Sequence, residues 1–264
     1  MTSLISQAFK NNEKKLVTFV TGGDPDFDTS LKIIKTIIKN GADIIEIGMP
    51  FSDPMADGPT IQLSSNRAIK KGINLENIFS LAAEAKKIKN DLPIILMGYY
   101  NLILHFGIDK FVEGCKKNGV DGLIIVDLQP EEDEELILEL KKNNIDLIRL
   151  ITPTTDENRL KLILQNASGF LYYVSVMGTT GQKSADIQEL QKSVNFIKQY
   201  SSLPVVPGFG IKDSEDVGKI CKIADGAVVG SSIIKIIENN LGQKKIMLEK
   251  IKSFTKKLKQ GTYT

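Results

Sequence analysis

The sequence predicts an α/β fold, a (β/α)8 TIM barrel, and three observations favour it. The chain has 264 residues, and a single α/β barrel commonly occupies about 250. Short apolar runs alternate with longer segments in which apolar residues recur at helical spacing. Carboxylates and glycines follow the apolar runs, where barrels build their active sites. We therefore expect one barrel domain spanning 1–264, with an additional N-terminal helix.

The first βα unit shows how the elements are assigned. The run 16–21 is rich in β-branched residues, which favours a buried strand, and the Gly-Gly-Asp-Pro segment at 22–25 ends it. Apolar residues recur at helical spacing from Leu31 to Ile38, and the Asn-Gly pair at 40–41 stops this helix. The later strands are predicted at 43–47, 93–98, 121–127, 146–151, 170–175, 204–207 and 226–229. Helices are predicted at 2–11 and near 75–90, 108–118, 131–143, 156–166, 188–201, 213–222 and 231–260.

A doubly wound open sheet is the main alternative, because it has the same alternation of strands and helices. Its commonest signature, Gly-x-Gly-x-x-Gly after the first strand, is absent from this sequence. The number of predicted strands also favours the barrel.

The residue inventory excludes several kinds of site. The net charge is +2 and the lysines are scattered, so the sequence carries no nucleic-acid or membrane signal. His105 is the only histidine, and Cys115 and Cys221 lie far apart. Zinc sites and Ser-His or Cys-His catalysis are therefore disfavoured, and we expect no metal site. Carboxylates, lysines, tyrosines and backbone amides remain to do the chemistry.

The location of the protein is predicted from what the sequence lacks. It has no signal-peptide pattern at the N-terminus and no apolar run approaching about 18 residues. The two unpaired cysteines are typical of a reducing compartment. We therefore expect a cytoplasmic protein.

A glutamate ends the second apolar run. Because side chains alternate along a strand, Glu46 shares one face with Ile44, whereas Ile45 and Ile47 take the other. A lone carboxyl beside apolar neighbours has its charged form disfavoured, so it is poised for proton transfer near neutral pH. Asp57 follows eleven residues later, and its loop can fold back over the barrel mouth to supply a second titratable group.

Two acids in this loop also have a simpler interpretation. Asp53 precedes Pro54 and Asp57 precedes Gly58, and aspartate in such positions often caps a turn. Residue type alone does not choose between turn and catalysis for either one.

Glycine-containing loops follow the last three predicted strands, at 178–181, 208–210 and 230–232. Glycine lets backbone amides approach an anion, and a helix starting near Ser231 directs its positive end to the same place. Three such loops in register predict a phosphorylated substrate. The polar segment 177–186 is long for a barrel loop, so it is either a mobile lid or a connector.

Apolar and aromatic residues at the strand ends could line a pocket. Phe19, Met97 and Phe209 lie at strand ends or in the loops just after them, although each could equally pack in the core. Tyr172 and Tyr173 are adjacent, so only one of them can face the barrel interior.

Two stretches, 16–25 (LVTFVTGGDP) and 46–59 (EIGMPFSDPMADGP), closely resemble the tryptophan synthase α subunit family. The resemblance runs over essentially the whole chain. It implies a barrel enzyme of tryptophan biosynthesis, a carbon–carbon lyase that cleaves indole-3-glycerol phosphate to indole and glyceraldehyde 3-phosphate. The family's catalytic glutamate matches Glu46, implying a proton shuttle between hydroxyl and carbon. Its catalytic aspartate matches Asp57, implying a partner for the indole N–H.

The resemblance also implies the rest of the site and a partner. The phosphate contacts fall on Gly181, Gly210, Gly230 and Ser231. The pocket positions fall on Phe19, Met97, Tyr99, Asp127, Tyr172 and Phe209, and the lid on Thr180. The implied partner is a β subunit in an α2β2 complex, which Pro50 and Asp53 would meet. Pyridoxal phosphate belongs to that partner, so this chain should need no cofactor.

The sequence departs from the family pattern at two positions. Gln129 stands where the family usually has proline, and Val176 stands where some members carry arginine. Neither position belongs to the catalytic pair.

Three other functions compete with this one. A Schiff-base aldolase needs a buried lysine, and none of the predicted strand bodies contains one. A metal-dependent aldolase is disfavoured by the single histidine, although Asp53 and Asp57 could hold magnesium. A catalytically silent phosphate-binding regulatory subunit is the third, against which the intact Glu46 and Asp57 argue.

Overall fold

Nine parallel β-strands form a barrel in the computed structural model, which describes residues 3–11, 13–174, 183–208 and 210–263. The strands are β1 (Lys15–Thr21), β2 (Ile44–Gly48), β3 (Ile94–Gly98), β4 (Gly122–Ile125), β5 (Asp146–Leu147), β6 (Arg149–Ile151), β7 (Leu171–Val174), β8 (Val205–Gly208) and β9 (Gly226–Val229). Their order in the sheet is β5-β4-β3-β2-β1-β9-β8-β7-β6.

The barrel closes through one predicted strand that the structure divides in two. The segment 146–151 is interrupted at Ile148, so that β5 pairs with β4 and β6 pairs with β7. Because one continuous piece of chain supplies both edges of the sheet, the nine strands occupy eight positions around the barrel. The predicted (β/α)8 fold is confirmed. The interruption lies where the chain changes its pairing from β4 to β7. The side chain of Ile148 packs in the interior core.

Twelve α-helices and a 3-10 turn surround these strands in the described part of the chain. They are α1 (Leu4–Ala8), α2 (Phe27–Lys39), α3 (Pro59–Lys70), α4 (Leu75–Lys86), α5 (Tyr100–Phe106), α6 (Ile108–Lys117), the 3-10 turn Pro130–Glu132, α7 (Glu134–Asn143), α8 (Glu157–Leu164), α9 (Lys183–Tyr200), α10 (Ser214–Cys221), α11 (Ser231–Glu238) and α12 (Lys244–Gly261).

Three helix assignments from sequence were incomplete. The single helix predicted at 231–260 is wrong, because Gly242 takes a positive φ of 78° and separates α11 from α12. The sequence did not predict α3, whose buried residues are only two serines and one alanine. It also missed α5, which is one short segment of seven residues. Weak or short apolar periodicity explains both omissions.

The strand side chains divide into two cores. Ile44 faces the barrel interior, and Ile45 and Ile47 pack against the helices, as alternation along β2 predicts. Helix α1 closes the barrel at the N-terminal ends of the strands, since its Ile5 is fully buried in the interior core. Phe9 continues this contact, with its ring centroid 5.9 Å from that of Phe170.

Aspartates hold the N-terminal ends of three strands through what we term strand-start clamps. Asp43 accepts a hydrogen bond from the Leu16 backbone N–H at 2.8 Å and from Lys259 Nζ at 2.7 Å. The other two clamps consist of Asp121 with Ile94 N–H and Lys86, and of Asp225 with Val205 N–H and Lys198. Each clamp joins two adjacent strands and a helix by charge-assisted hydrogen bonds.

The length and apolar content of the helices decide whether one of them could span a membrane. Within the described ranges, none is both long enough and apolar enough to cross a bilayer.

Candidate active site

Glu46 lies in the middle of β2 with its side chain inside the barrel. Its neighbours across the sheet are Phe19 of β1 and Ile95 of β3, and the residue is 0% exposed. Neither carboxylate oxygen has a hydrogen-bond partner among the described residues. Burial raises the pKa of this carboxyl to about 8. The side chain is therefore mostly protonated at neutral pH and can give and take a proton close to that pH.

Tyr172 lies near both predicted catalytic acids. Burial raises its pKa well above the ordinary value, and the charges of Glu46 and Asp57 raise it further. A Cβ atom at Gly208 would overlap the Tyr172 hydroxyl oxygen, so β8 needs glycine there to admit the phenol. Its neighbour Tyr173 faces the helices and donates to Ser193 Oγ at 2.9 Å. Tyr172 is thus the tyrosine that faces the interior.

The loop that carries Asp57 is held by Tyr99, which follows β3. The Tyr99 hydroxyl accepts a hydrogen bond from the Ala56 backbone N–H at 3.1 Å. Its ring stacks on Phe51 with centroids 5.1 Å apart. Burial raises the pKa of Asp57, and the adjacent Tyr99 hydroxyl opposes that shift. Gln62 Nε2 donates to the Asp57 carbonyl oxygen at 2.8 Å, which fixes the backbone where the loop enters α3.

One cavity of about 380 Å³ brings most of the predicted site together. Its lining includes the predicted residues Phe19, Asp57, Met97, Tyr172, Gly210, Gly230 and Ser231. Glu46 is not among the lining residues because it is completely covered. Its partner in the sheet register, Phe19 on the neighbouring strand β1, does line the cavity.

A second cavity of about 510 Å³ adjoins the first. The two share Ala56, Asp57, Met97 and Tyr172. The second extends past the ends of β4 and β6, where its apolar lining includes Ile125, Leu128, Leu150, Ile163 and Val174. The site therefore extends past Asp57 into a largely apolar compartment, which Gln129, Arg159 and three threonines also border.

The opposite side of the first cavity has the features of an anion site. Gly210 has a positive φ of 74°, and Gly230 precedes Ser231, the first residue of α11. Ser232 Oγ donates to the Ile211 carbonyl oxygen at 2.9 Å, which ties α11 to the loop after β8. We call Gly210, Gly230 and Ser231 the phosphate pole, because two glycines and the N-terminus of α11 line the cavity there.

Two lysines that the sequence did not single out line this cavity. Lys212 and Lys235 both border the cavity that contains the phosphate pole. Neither ammonium group has a carboxylate within 4.0 Å in the part of the chain that is described. Lys235 stands one helical turn after Ser231, and that i, i+4 spacing could have indicated it. Lys212 lies two residues after Gly210.

Several other predicted residues have different surroundings. Asp127 is exposed and lines neither cavity; its carboxylate accepts from the Tyr100 backbone N–H at 2.7 Å at the start of α5. Asp53 is exposed, Pro50 is half-buried, and Asp53 Oδ2 accepts from Ser52 Oγ at 2.5 Å. The predicted residues Gly181, Thr180 and Phe209, and the departure at Val176, lie outside the described residues.

Gln129, the other departure from the family pattern, has a definite partner. Its side-chain oxygen accepts from the Arg159 guanidinium, which also pairs with Glu131. The buried Arg149 donates to the Leu128 carbonyl oxygen at 3.0 Å. Two arginines therefore hold the loop after β4, and a proline at 129 could not make the first of these contacts.

The structure also bears on the competing chemistries. Strand β1 begins at Lys15, so the expectation that strands contain no lysine is corrected. The Lys15 ammonium donates to Asn11 and Glu13 at the N-terminal end of the barrel, opposite the cavity. Across the described ranges, no three His, Cys, Asp or Glu side chains form a group that could hold a metal ion.

The sequence is similar to known proteins over nearly its whole length. The family model described as tryptophan synthase alpha chain matches residues 5–263. A tryptophan synthase alpha chain from Geotalea uraniireducens (strain Rf4) is 46% identical over 252 residues, covering 96% of this chain and 93% of that protein.

Solved structures agree with the sequence comparison. The tryptophan synthase subunit alpha from Legionella pneumophila str. Paris has a TM-score of 0.92 at 33% identity, covering 100% of this chain and 99% of that one. A structure from Aquifex aeolicus VF5 has a TM-score of 0.89 at 40% identity, covering 98% and 99%. Sequence and fold match over nearly the whole length, and this chain belongs to the tryptophan synthase alpha chain family.

Proposed function

We propose that this chain cleaves indole-3-glycerol phosphate to indole and glyceraldehyde 3-phosphate by carboxylate acid–base catalysis. The observation that carries the proposal is Glu46, a fully buried carboxyl with no hydrogen-bond partner in the described part and a pKa raised to about 8. Its neighbour in the sheet, Phe19, lines a cavity with Asp57 on its wall, an apolar compartment on one side and the phosphate pole on the other. The substrate has the same arrangement, with an aromatic ring joined to a phosphate by a three-carbon chain.

The proposed reaction needs two proton transfers around one carbon–carbon bond. Protonated Glu46 donates to indole C3, which places positive charge on the ring nitrogen. The resulting carboxylate then removes the proton from the hydroxyl of the carbon attached to C3. The electron pair of the broken carbon–carbon bond returns to the ring, the hydroxyl oxygen becomes the aldehyde, and Glu46 ends protonated as it began. A carboxyl with a pKa near 8 can do both steps near neutral pH.

Asp57 stabilises the positive charge that develops on the ring. Asp57 lines both cavities, so an indole in the apolar compartment can direct its N–H toward the Asp57 carboxylate. The contact strengthens as the ring becomes cationic, which is the condition for lowering the barrier. Tyr99 holds the adjoining backbone in place.

The phosphate pole holds the other end of the substrate. Gly210 and Gly230 leave their backbone accessible, and Ser231 begins α11. Lys212 and Lys235 add positive charge to a group that otherwise contains none. A phosphate monoester carries close to two negative charges at neutral pH, so these lysines favour its binding.

We also propose that the product indole passes to a β subunit carrying pyridoxal phosphate, in an α2β2 complex. The loop with Pro50 and Asp53 offers an exposed contact surface next to the cavity, and Met55 in it is 85% exposed. This chain would then need no cofactor of its own. The alternative is a catalytically silent subunit that binds phosphate and only regulates its partner.

Indole release from indole-3-glycerol phosphate tests the proposal. The purified chain is incubated with this substrate, with and without a β subunit, and indole and glyceraldehyde 3-phosphate are quantified. We expect equal amounts of both products, released faster with the partner, and a rate lowered by about 10²–10⁴-fold with Glu46→Gln. If the wild-type chain releases no indole even with the partner, while changing the partner's own rate, the silent regulatory function replaces the one proposed.

A further inference from the structure

Helix α3 links Asp57 to the rest of the barrel. It begins at Pro59, two residues after Asp57, and its first turn lines the cavity. Its buried residues are only Ser64, Ser65 and Ala68. Because this apolar face is so small, hydrophobic packing alone does not specify where α3 lies. Polar contacts must supply the missing specificity.

Two polar contacts fasten α3 to the end of β1 and the loop after it. Arg67 Nε and Nη2 donate to the two carboxylate oxygens of Asp24 at 2.7 and 2.8 Å, a paired geometry that fixes direction as well as distance. Asp24 is 1% exposed. One turn earlier, Ser64 Oγ lies 2.5 Å from Thr21 Oγ1.

The same guanidinium also reaches the helix of the phosphate pole. Arg67 Nη1 lies 3.7 Å from Glu238 Oε1. Glu238 is the last residue of α11, whose first residue is Ser231, and α3 packs against α11. One side chain therefore contacts the loop after β1 and the helix that starts at the phosphate pole, while its own helix starts beside Asp57.

We propose that Arg67 is a positioning residue that sets the distance between Asp57 and the phosphate pole. The proposal rests on the proposed function, because that distance matters only for a ligand that spans both. A ligand that occupies the phosphate pole alone does not depend on where α3 begins. Arg67 itself touches no substrate.

Lysine cannot replace arginine in this role. Its ammonium is a single charge on a flexible stem and cannot pair with both oxygens of Asp24 while reaching Glu238. Removing the charge altogether leaves Asp24 buried opposite an apolar side chain. Because such a variant could unfold, the double variant Asp24→Asn/Arg67→Met, which removes both charges, accompanies Arg67→Met and Arg67→Lys.

Two ligands separate positioning from simple stability. Glycerol 3-phosphate occupies the phosphate pole only, whereas indole-3-propyl phosphate also places its ring beside Asp57 and cannot be cleaved. Calorimetry on the full chain gives the dissociation constant for each, and their ratio measures the affinity gained from the indole half. Lys86→Met is the matched control, because it breaks the Lys86–Asp121 clamp far from the cavity. Thermal unfolding identifies which variants are folded at the assay temperature.

We expect the ratio to fall about tenfold in Arg67→Met and in the double variant, and less in Arg67→Lys. Glycerol 3-phosphate should bind all variants with the wild-type affinity, and Lys86→Met should keep the wild-type ratio. If Arg67→Met unfolds, the double variant and Arg67→Lys decide the result. An unchanged ratio in a folded Arg67 variant, or an equal loss in Lys86→Met, overturns the inference. If the wild-type chain binds indole-3-propyl phosphate no more tightly than glycerol 3-phosphate, the proposed function is overturned as well.

Discussion

Carboxylates at the two ends of the barrel have opposite surroundings. At the N-terminal end, Asp43 accepts a hydrogen bond from the Leu16 backbone N–H and two from Lys259. At the level of the cavity, Glu46 of the same βα unit is completely covered and has no such partner among the described residues. The two residues are separated by three positions in the sequence.

The difference shows that the two ends serve different purposes. A paired carboxylate joins strands and helices and contributes to stability. A buried carboxyl without a partner lowers stability, because its charged form loses hydration and forms no hydrogen bond or ion pair that compensates for the loss. The same loss raises the pKa of Glu46 to about 8, which suits proton transfer. In this barrel the unfavourable burial lies where chemistry is proposed, and the favourable pairing lies opposite.

The largest expected effect comes from replacing a carboxylate by an amide at each end. Glu46→Gln should lower kcat/KM for indole release by about 10²–10⁴-fold, because a general acid–base group is removed. Asp43→Asn should leave kcat/KM per folded molecule unchanged, since it touches only the clamp. Steady-state assays measure kcat/KM for the two variants. Denaturation curves give the folded fraction of each preparation, by which kcat/KM is corrected. A similar activity loss in the two variants would contradict the division between the ends.

The second effect is on stability and depends on pH. Folding raises the pKa of Glu46 from 4.5 to about 8, so the folded protein keeps a proton that the unfolded chain loses. The free energy of unfolding should therefore fall by at most about 5 kcal/mol as pH rises from 4.5 to 8. Glu46→Gln should lack this contribution and gain stability over wild type toward pH 8. Urea denaturation at several pH values measures it; parallel curves for the two proteins would show that Glu46 does not titrate as proposed.

A smaller effect is expected from opening one clamp. Lys259→Met removes the ammonium that Asp43 accepts from and should lower the free energy of unfolding by roughly 1–3 kcal/mol, with kcat/KM unchanged. Lys256→Met on the same helix is the control, because Lys256 is exposed and forms no ion pair within the described part of the chain. Equal denaturation midpoints for both variants would mean that the clamp contributes no stability.

The smallest effect concerns charge at the phosphate pole. Lys235→Gln should raise KM severalfold at low ionic strength and by less at high salt, because mobile ions screen an exposed lysine. Turnover at saturating substrate should not change, since Lys235 is placed on the phosphate and not on the reacting bond. Lys256→Gln controls for net charge. A KM that is equal for the two variants at every salt concentration would remove Lys235 from the site.

Sequence reasoning succeeded where the signal was local. Alternation along β2 correctly placed Glu46 on the interior face with Ile44, because strand periodicity needs only neighbouring residues. It failed at α3, whose face toward the barrel is mostly serine, so no apolar period marks it. It also did not single out Lys235, because a lysine on a helix carries no sign of the cavity beside it.

The sequence by itself determined which chemistry is possible: a carboxyl within an apolar strand, glycines after later strands, and a single histidine. These follow from residue type and spacing, which are written in the chain. Only the tertiary structure decided that Glu46 has no hydrogen-bond partner among the described residues, that Asp57 and the phosphate pole border one cavity, and that Arg67 contacts both Asp24 and Glu238. These facts depend on residues far apart in sequence, and closing the barrel is what brings them together.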